Sequence, residues 1–221
     1  MPSDPREIVA RGYDAAAVEY ARWAASSVTD PARTIYQERF CGLLPEGSAV
    51  LELGCGGDGP TTVRLAHRFA LTGIDLSSTQ IALAREQVPV AAFLHGDMTR
   101  VTFAPSVFDG IAAFYSLIHL PYGELPAMLA RISTWLRADG VFVASLSGRD
   151  EAGEHFAEDW LGGAPIYWSG YGLAETAGFF DEAGLTIVES SVESNIEDEQ
   201  AAPFLWVIAR KPAGSEAAGR G

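Results

Sequence analysis

The sequence predicts an α/β protein whose seven strands form one mostly parallel sheet with helices on both faces. Three observations predict it. Short apolar runs alternate with helical patterns from about residue 49 to residue 146, the rhythm of repeated strand–helix units. The first run, Ala49 to Leu53, breaks into a cluster of glycines, Gly54, Gly56, Gly57 and Gly59, before a helical pattern resumes near Thr61. Two acids follow at later strand ends, Asp75 and Asp97, where open α/β sheets bind ligands. With 221 residues, 48% apolar and 20% charged, and no visible repeat or linker, a single globular domain over residues 1–212 is expected.

The elements follow in order. Arg6 to Ala25 carries Ile8, Val9, Tyr13, Ala16, Ala17 and Tyr20 at three- and four-residue steps, which predicts a helix. Asp30-Pro31 opens a second helix, with proline at the favoured first position, running to about Leu44. Pro45 to Ser48 is a turn. The first strand, the glycine loop and a helix to Phe69 come next. Ala70 to Asp75 is the second strand, and Ser77 or Ser78 caps the helix that Pro89 ends. Val90 to His95 is the third strand and leads into Gly96-Asp97-Met98. Phe108 to Phe114 is the fourth, followed by the loop Tyr115-Ser116-Leu117-Ile118-His119-Leu120-Pro121. Glu124 to Leu136 reads as an amphipathic helix, Arg137 to Gly140 as a turn, and Val141 to Leu146 as the fifth strand. Residues 147–171 are read as a long irregular loop rich in acids and aromatics. Tyr171 to Ala183 is a helix stopped by Gly184, and two strands, Leu185 to Val192 and Pro203 to Arg210, flank an acidic turn. Residues 213–221 are small and polar and are expected to be a disordered tail.

Gly54 and Gly56 lack a Cβ, so the turn can take positive φ and a ligand can press against the main chain. Glu52, two residues before the first glycine, puts a carboxylate at the strand's carboxyl end, which suits an amine-bearing ligand better than a pyrophosphate. Asp75 lies 21 residues after Gly54 and is placed to take both hydroxyls of a ribose. Gly54, Gly56 and Gly59 also spell the dinucleotide fingerprint, so at this point an NAD-type ligand stays open.

Glu52-Leu53-Gly54-Cys55-Gly56 resembles the first motif of class I S-adenosylmethionine (SAM)-dependent methyltransferases of the small-molecule type. It departs from the family pattern at Asp58, where a third glycine is usual. Tyr13-Asp14-x-x-Ala17-x-x-Tyr20 resembles the family's N-terminal lid helix, so residues 1–45 form the expected lid. Gly96-Asp97-Met98 resembles the element that holds adenine, and the Asp109-to-Pro121 passage resembles its fourth strand and acceptor loop. The resemblance implies a seven-stranded Rossmann-like methyltransferase sheet closed by a C-terminal antiparallel hairpin. It implies SAM as cofactor and S-adenosylhomocysteine as product. Glu52, Gly54 and Gly56 would hold the methionine part, Asp75 the ribose, and Asp97 and Met98 the adenine, with Cys55, Leu76, Gln80 and Gly96 as further cofactor-binding residues. Phe114 would offer backbone to the amino group, with Tyr13 and Tyr20 lying over the site; the same tyrosines read equally as core residues.

On the acceptor side the candidates are Tyr115, Ser116, Trp160, Tyr167, Trp168 and Tyr171, with core packing as the competing reading of the aromatics. His119 is the candidate catalytic base if the acceptor atom is an oxygen, and an orienting or bracing residue if it is an amine. The expected activity is methyl transfer to an O or N atom of a small molecule. The Ala/Gly/Arg-rich composition resembles that of high-GC actinobacterial proteins, where such enzymes tailor secondary metabolites. The alternatives are an NAD-dependent oxidoreductase, which lacks a Tyr-x-x-x-Lys pair because no lysine precedes Lys211, and a SAM-binding protein without transfer chemistry.

The formal net charge of −14 disfavours nucleic acid, as does the absence of an Asn/Asp-Pro-Pro-Tyr motif after the fourth strand. No apolar run reaches the roughly 20 residues of a membrane span. The N-terminus lacks the basic and apolar regions of a signal peptide, and Cys41 and Cys55 stand alone, so a reducing cytoplasm is expected. The four histidines show no metal-ligand spacing. A monomer or homodimer is expected.

Overall fold

A computed structural model describes residues 4–57 and 59–213. The expectations for Asp58 and for the tail beyond Ala213 lie outside the described residues. Two helices come first. Helix α1 spans Pro5–Ser26 and α2 Pro31–Leu43; each is preceded by an aspartate, Asp4 or Asp30, whose side chain accepts a first-turn N–H, and each has proline at its start. A two-residue strand, β1 (Val28–Thr29), lies between them.

The core then alternates: β2 (Ala49–Leu53), α3 (Pro60–Arg68), β3 (Ala70–Asp75), α4 (Ser78–Gln87), β4 (Ala92–His95), β5 (Phe108–Ala113), α5 (Leu125–Trp135), β6 (Leu136–Ser147). The chain continues through β7 (Gly153–Ala157), β8 (Ile166–Gly170), α6 (Leu173–Glu182), β9 (Thr186–Glu197) and β10 (Gln200–Arg210). The sheet order is β1-β9-β10-β6-β5-β2-β3-β4. Strands β6, β5, β2, β3 and β4 run parallel, while β10 is antiparallel to both β6 and β9. The expected α/β sheet with a closing antiparallel hairpin is therefore present. It has eight strands, not seven, because Val28–Thr29 adds to the far end of β9.

The inner parallel strands β2, β5 and β6 are buried on both faces, as their continuous apolar runs require, while β4 at the edge is mostly exposed. Tyr36 and Phe40 of α2 and Leu65 of α3 pack on one face with Trp206. Met128, Leu129 and Ile132 of α5 and Phe180 of α6 pack on the other with Phe142. After β2 the chain steps one way to β3 and β4, then returns to lay β5 on β2's other side. The carboxyl ends of β2 and β5 thus flank a topological switch point, the place where an open α/β sheet leaves a crevice.

Several boundaries differ from expectation, and the last two strands are longer than expected, the first reaching Glu197 and the second starting at Gln200. The third strand starts at Ala92, since Val90 sits 85% exposed in the turn after Pro89. The fifth begins at Leu136, with Asp139 taking a left-handed turn (φ 61°) inside the pairing. The largest correction is at residues 147–171. Much of this stretch is a two-stranded antiparallel ribbon, β7–β8, registering His155 with Trp168 and Phe156 with Tyr167. Helix α1 rests on that ribbon through Ile8, Val9, Ile166 and Tyr167. Gly12 makes the approach possible: a Cβ there would stand 2.2 Å from the Pro165 carbonyl oxygen.

Candidate active site

The crevice at the switch point is roofed by α1. It holds about 750 Å³ of space free of protein atoms, its mouth included. Of the residues singled out above, Tyr13, Tyr20, Gly54, Gly56, Asp75, Leu76, Gln80, Gly96, Asp97, Met98, Phe114, Tyr115, Ser116 and His119 line it. Glu52 and Cys55 line a recess that continues from it past Gly54 and Gly56.

The glycine loop is built for close approach. Gly54 (φ 69°) and Gly56 (φ 62°) take conformations that disfavour side chains, and a Cβ on Gly54 would lie 2.3 Å from that of Ser116. The Gly54 and Cys55 N–H groups both donate to the Ile74 carbonyl, at 2.8 and 3.1 Å. Asp75 completes the loop from the neighbouring strand. One carboxylate oxygen accepts the Gly56 N–H and the other the Ser77 N–H, both at 2.9 Å. Burial raises its pKa, against the pull of those N–H donors.

Glu52 is buried, 3% exposed, and its Oε2 has no hydrogen-bond partner among the described residues. Burial pushes its pKa up to about 8. Gln80 is likewise buried, and neither atom of its amide has a partner. An unmatched buried polar group costs about 1–3 kcal/mol, so both are aimed at something complementary. Cys55 contributes otherwise than expected. Its side chain packs with Ile81, Ala84, Val88 and Phe93, and only its backbone takes part in the loop.

Asp97 lines the crevice, but α1 reaches it first. Arg6 Nε lies 2.8 Å from Asp97 Oδ2, and Thr99 donates its N–H and hydroxyl to Oδ1 at 2.8 and 2.7 Å. Arg6 also pairs with Glu124. Asp14, one residue beyond Tyr13, accepts the Ser77 hydroxyl at 2.5 Å and the Thr79 N–H at 3.0 Å. The lid is therefore fastened to the turns that carry Asp75 and Asp97. Arg6, which lines the crevice, and Asp14, which ties the lid to the turn before α4, were missed because a charged side chain on an amphipathic helix reads as a solvated face until its partner is placed.

His119 sits partly buried under the lid with both nitrogens engaged. Nδ1 is 2.7 Å from the Tyr167 carbonyl oxygen and Nε2 is 2.9 Å from the Tyr13 hydroxyl. A carbonyl only accepts, so Nδ1 carries the proton and Nε2 accepts from Tyr13. Burial lowers the His119 pKa to about 4, leaving a neutral imidazole at pH 7. Tyr13 also meets Tyr20, His119 and Trp160 edge-on, with ring centroids 5.3–5.4 Å apart.

The expected acceptor residues divide. Ser116 lines the crevice, but its hydroxyl donates to the Leu53 carbonyl at 2.6 Å. Tyr115 holds a left-handed backbone (φ 56°), with its N–H on Ser145 Oγ and its hydroxyl between Asp30 and Asn195. Trp160, Tyr167, Trp168 and Tyr171 do not line the crevice. Trp160 backs Tyr13 and Tyr20. The Tyr167 hydroxyl donates to Glu154 and accepts the Tyr122 N–H, while that of Tyr171 accepts the Gly123 N–H. Both tyrosines hold the 121–123 turn rather than face a ligand. Trp168 lines a separate open groove with Ile118, Arg149, His155 and Phe204.

A family model described as a methyltransferase domain matches residues 50–140, the stretch holding the glycine loop, Asp75, Asp97 and His119. Over these residues the chain is similar to methyltransferase domains, and its fold is the α/β Rossmann-like methyltransferase fold. A 2-phytyl-1,4-naphtoquinone methyltransferase of Thermosynechococcus vestitus is 37% identical over 81 residues, covering 34% of this chain and 36% of that one. A trans-aconitate 2-methyltransferase of Delftia acidovorans is 34% identical over 117 residues, 51% of this chain and 42% of that one. The chain thus spans well under half the length of these two relatives. The magnesium protoporphyrin IX methyltransferase of Synechocystis PCC 6803, solved with bound SAM, superposes with a TM-score of 0.69 at 15% identity, covering 95% and 98% of the two chains. The dinucleotide-oxidoreductase alternative falls on these findings and on the antiparallel β10, where a dinucleotide fold has a further parallel strand.

The residues of the crevice fit SAM, the cofactor of the methyltransferase domains the chain resembles. The unpaired Glu52 Oε2 and the bare glycine backbone face the recess, and Asp75, Gln80, Leu76 and Met98 line the crevice beside it. Arg33 of α2 also lines the recess, held by Asp30 at 2.9 Å and lying 4.7 Å over the Tyr115 ring. No sequence motif marked it; α2 lies far along the chain from the loop it faces.

Proposed function

We propose that the chain transfers a methyl group from SAM to an oxygen or nitrogen atom of a small molecule, with a secondary metabolite as the expected acceptor. The observation that carries this reading is the Tyr13–His119 hydrogen bond inside a crevice walled by the glycine loop and Asp75. When bound, SAM supplies an already activated methyl on a sulfonium, displaced in line by the acceptor atom. Glu52 and Arg33 would take the ammonium and carboxylate of its amino-acid end, and Asp75 its ribose. Tyr13 and Tyr20 present rings to a cationic centre. Alignment and exclusion of water by the α1 lid are the main contributions asked of the protein, on the order of 7–11 kcal/mol.

A hydroxyl acceptor must also lose a proton. His119 Nε2 carries the ring's lone pair, which accepts the Tyr13 hydroxyl, and both residues line the crevice. The acceptor's proton passes to His119 directly or through Tyr13, and the resulting imidazolium releases it to solvent. The Tyr167 carbonyl keeps Nδ1 protonated, so Nε2 is the only basic position. This pair favours an oxygen acceptor over an amine, which needs no base.

Isothermal titration with S-adenosylhomocysteine, followed by methyl-transfer assays over a panel of phenols, carboxylic acids and amines, tests the reading. Micromolar binding with turnover of a hydroxyl acceptor supports it. Binding without turnover of any acceptor would favour the SAM-binding protein that lacks transfer chemistry.

A further inference from the structure

We propose that Arg6 is an autoinhibitory latch: in the empty protein it occupies the carboxylate oxygen that an adenine amino group needs, and cofactor binding must displace it. The inference rests on the SAM-binding reading and adds to it a competitor built into the chain.

Helix α1 is held differently on its two flanks. Toward the β7–β8 ribbon it is held by apolar packing, Ile8 and Val9 against Ile166 and Tyr167. Toward the cofactor wall it is held by charged side chains. Asp14 accepts the Ser77 hydroxyl and the Thr79 N–H at the start of α4. Arg6, in the first turn of α1, reaches the turn after β4, with Nε 2.8 Å from Asp97 Oδ2 and Nη2 3.2 Å from Thr99 Oγ1. Arg6, Asp97 and Thr99 all line the crevice. Charge contacts weaken with salt and exchange readily, whereas the apolar flank keeps the helix on the ribbon.

The donors around Asp97 define what the latch blocks. Oδ1 already accepts both the N–H and the hydroxyl of Thr99. Oδ2 is the oxygen left for a ligand N–H, and it is the one Arg6 covers; Arg100, largely exposed, approaches it at 3.3 Å. Oδ2 and Arg6 Nε are both buried, yet neither makes an aligned hydrogen bond among the described residues. The pair is held by charge without a directed bond, so an aligned amino donor gives Oδ2 what Arg6 does not. Displacement also leaves Arg6 with partners. Its guanidinium pairs with Glu124, just before α5, and lies 3.5 Å from Asp4. Release from Asp97 therefore does not strand a charge in the interior.

The test is titration of wild type and Arg6→Met with S-adenosylhomocysteine, by calorimetry for affinity and by stopped-flow tryptophan fluorescence for rates. Trp160, whose ring lies 5.3 Å from that of Tyr13, and Trp23, on α1 itself, report movement of the lid. Methionine keeps an unbranched stem and removes the charge; Arg6→Ala, a strong helix former, serves if methionine fails to fold. At low salt the association rate constant and the affinity should both rise roughly three- to tenfold in the variant. The gap between the two proteins should close toward 1 M salt, where charges are screened within about 3 Å. Equal affinities and rates at low salt would overturn the proposal and reduce Arg6–Asp97 to an incidental ion pair. A lower affinity in the variant would also overturn it, by making Arg6 a residue that helps hold the ligand. Failure of the wild type to bind S-adenosylhomocysteine at any salt, together with failure of both variants, would remove the cofactor reading itself and the latch with it.

Discussion

The two walls of the crevice are built on opposite terms. The wall formed by β2, the glycine loop and the starts of α3 and α4 keeps buried polar atoms without partners among the described residues: Glu52 Oε2, Thr61 Oγ1 and both ends of the Gln80 amide. The opposite wall, formed by the loop after β5 and backed by the β7–β8 ribbon, is satisfied from within. Both His119 nitrogens, the Tyr167 and Tyr171 hydroxyls, and the Ser116 and Ser169 hydroxyls all have protein partners. Unmatched buried polar atoms raise the free energy of the protein alone and lower it only when a complementary group arrives. The first wall is therefore shaped for a polar ligand of fixed chemistry. The second is rigid and mostly aromatic, and it presents one reactive contact, Tyr13–His119, at its inner edge.

That contrast can be broken from either side. The largest effect should follow His119→Ala. With a hydroxyl acceptor, turnover should fall roughly 10²–10⁴-fold while S-adenosylhomocysteine affinity stays within a fewfold of wild type. A loss under tenfold would reduce His119 to a brace for the loop. On the other wall, Gly54→Ala forces a side chain into a left-handed position against Ser116. Urea unfolding should show a cost of about 3 kcal/mol, and cofactor affinity should fall with it.

A third test uses pH. Burial holds the folded His119 near pKa 4, below its ordinary value of 6.5. The unfolded chain therefore binds a proton in this window that the folded chain does not, and stability should fall as pH drops from about 6.5 to 4. The full shift corresponds to about 3 kcal/mol. His119→Asn should remove this component from urea-unfolding data collected across the same range, while other groups continue to titrate.

The smallest effect is a proton count. Glu52, pushed up to about 8, is mostly protonated at pH 7. An ammonium placed against Oε2 favours the carboxylate, so cofactor binding at pH 7 should release about one proton. Calorimetric enthalpies measured in buffers of different ionisation enthalpy would report it, and Glu52→Gln should abolish the release. Equal proton release in that variant would place the ammonium elsewhere.

Much of the fold and half of the site could be read from residue order. The inner parallel strands announce themselves as apolar runs because both their faces are buried, and the switch point follows from their sequence of ligand-bearing ends. The glycine loop, Asp75 and Asp97 stand at those ends, so short-range pattern located the donor wall. Glycine positions also carry backbone information directly: Gly54 and Gly56 do take positive φ.

Pattern failed where contacts cross long stretches of chain. The ribbon at 153–170 was hidden because its strands are short, β7 almost wholly exposed and β8 mostly buried, so neither shows a clean alternation. Arg6 on Asp97, Asp14 on Ser77 and Thr79, and Tyr13 on His119 join residues 63 to 106 positions apart, and no local rule couples such pairs. The sequence by itself therefore determined the sheet, its switch point and the backbone cradle, since each depends on local propensity and burial. Only the tertiary structure decided which side chains face the crevice, which tyrosine meets the histidine and which polar groups stay unmatched, because those depend on how separate elements pack.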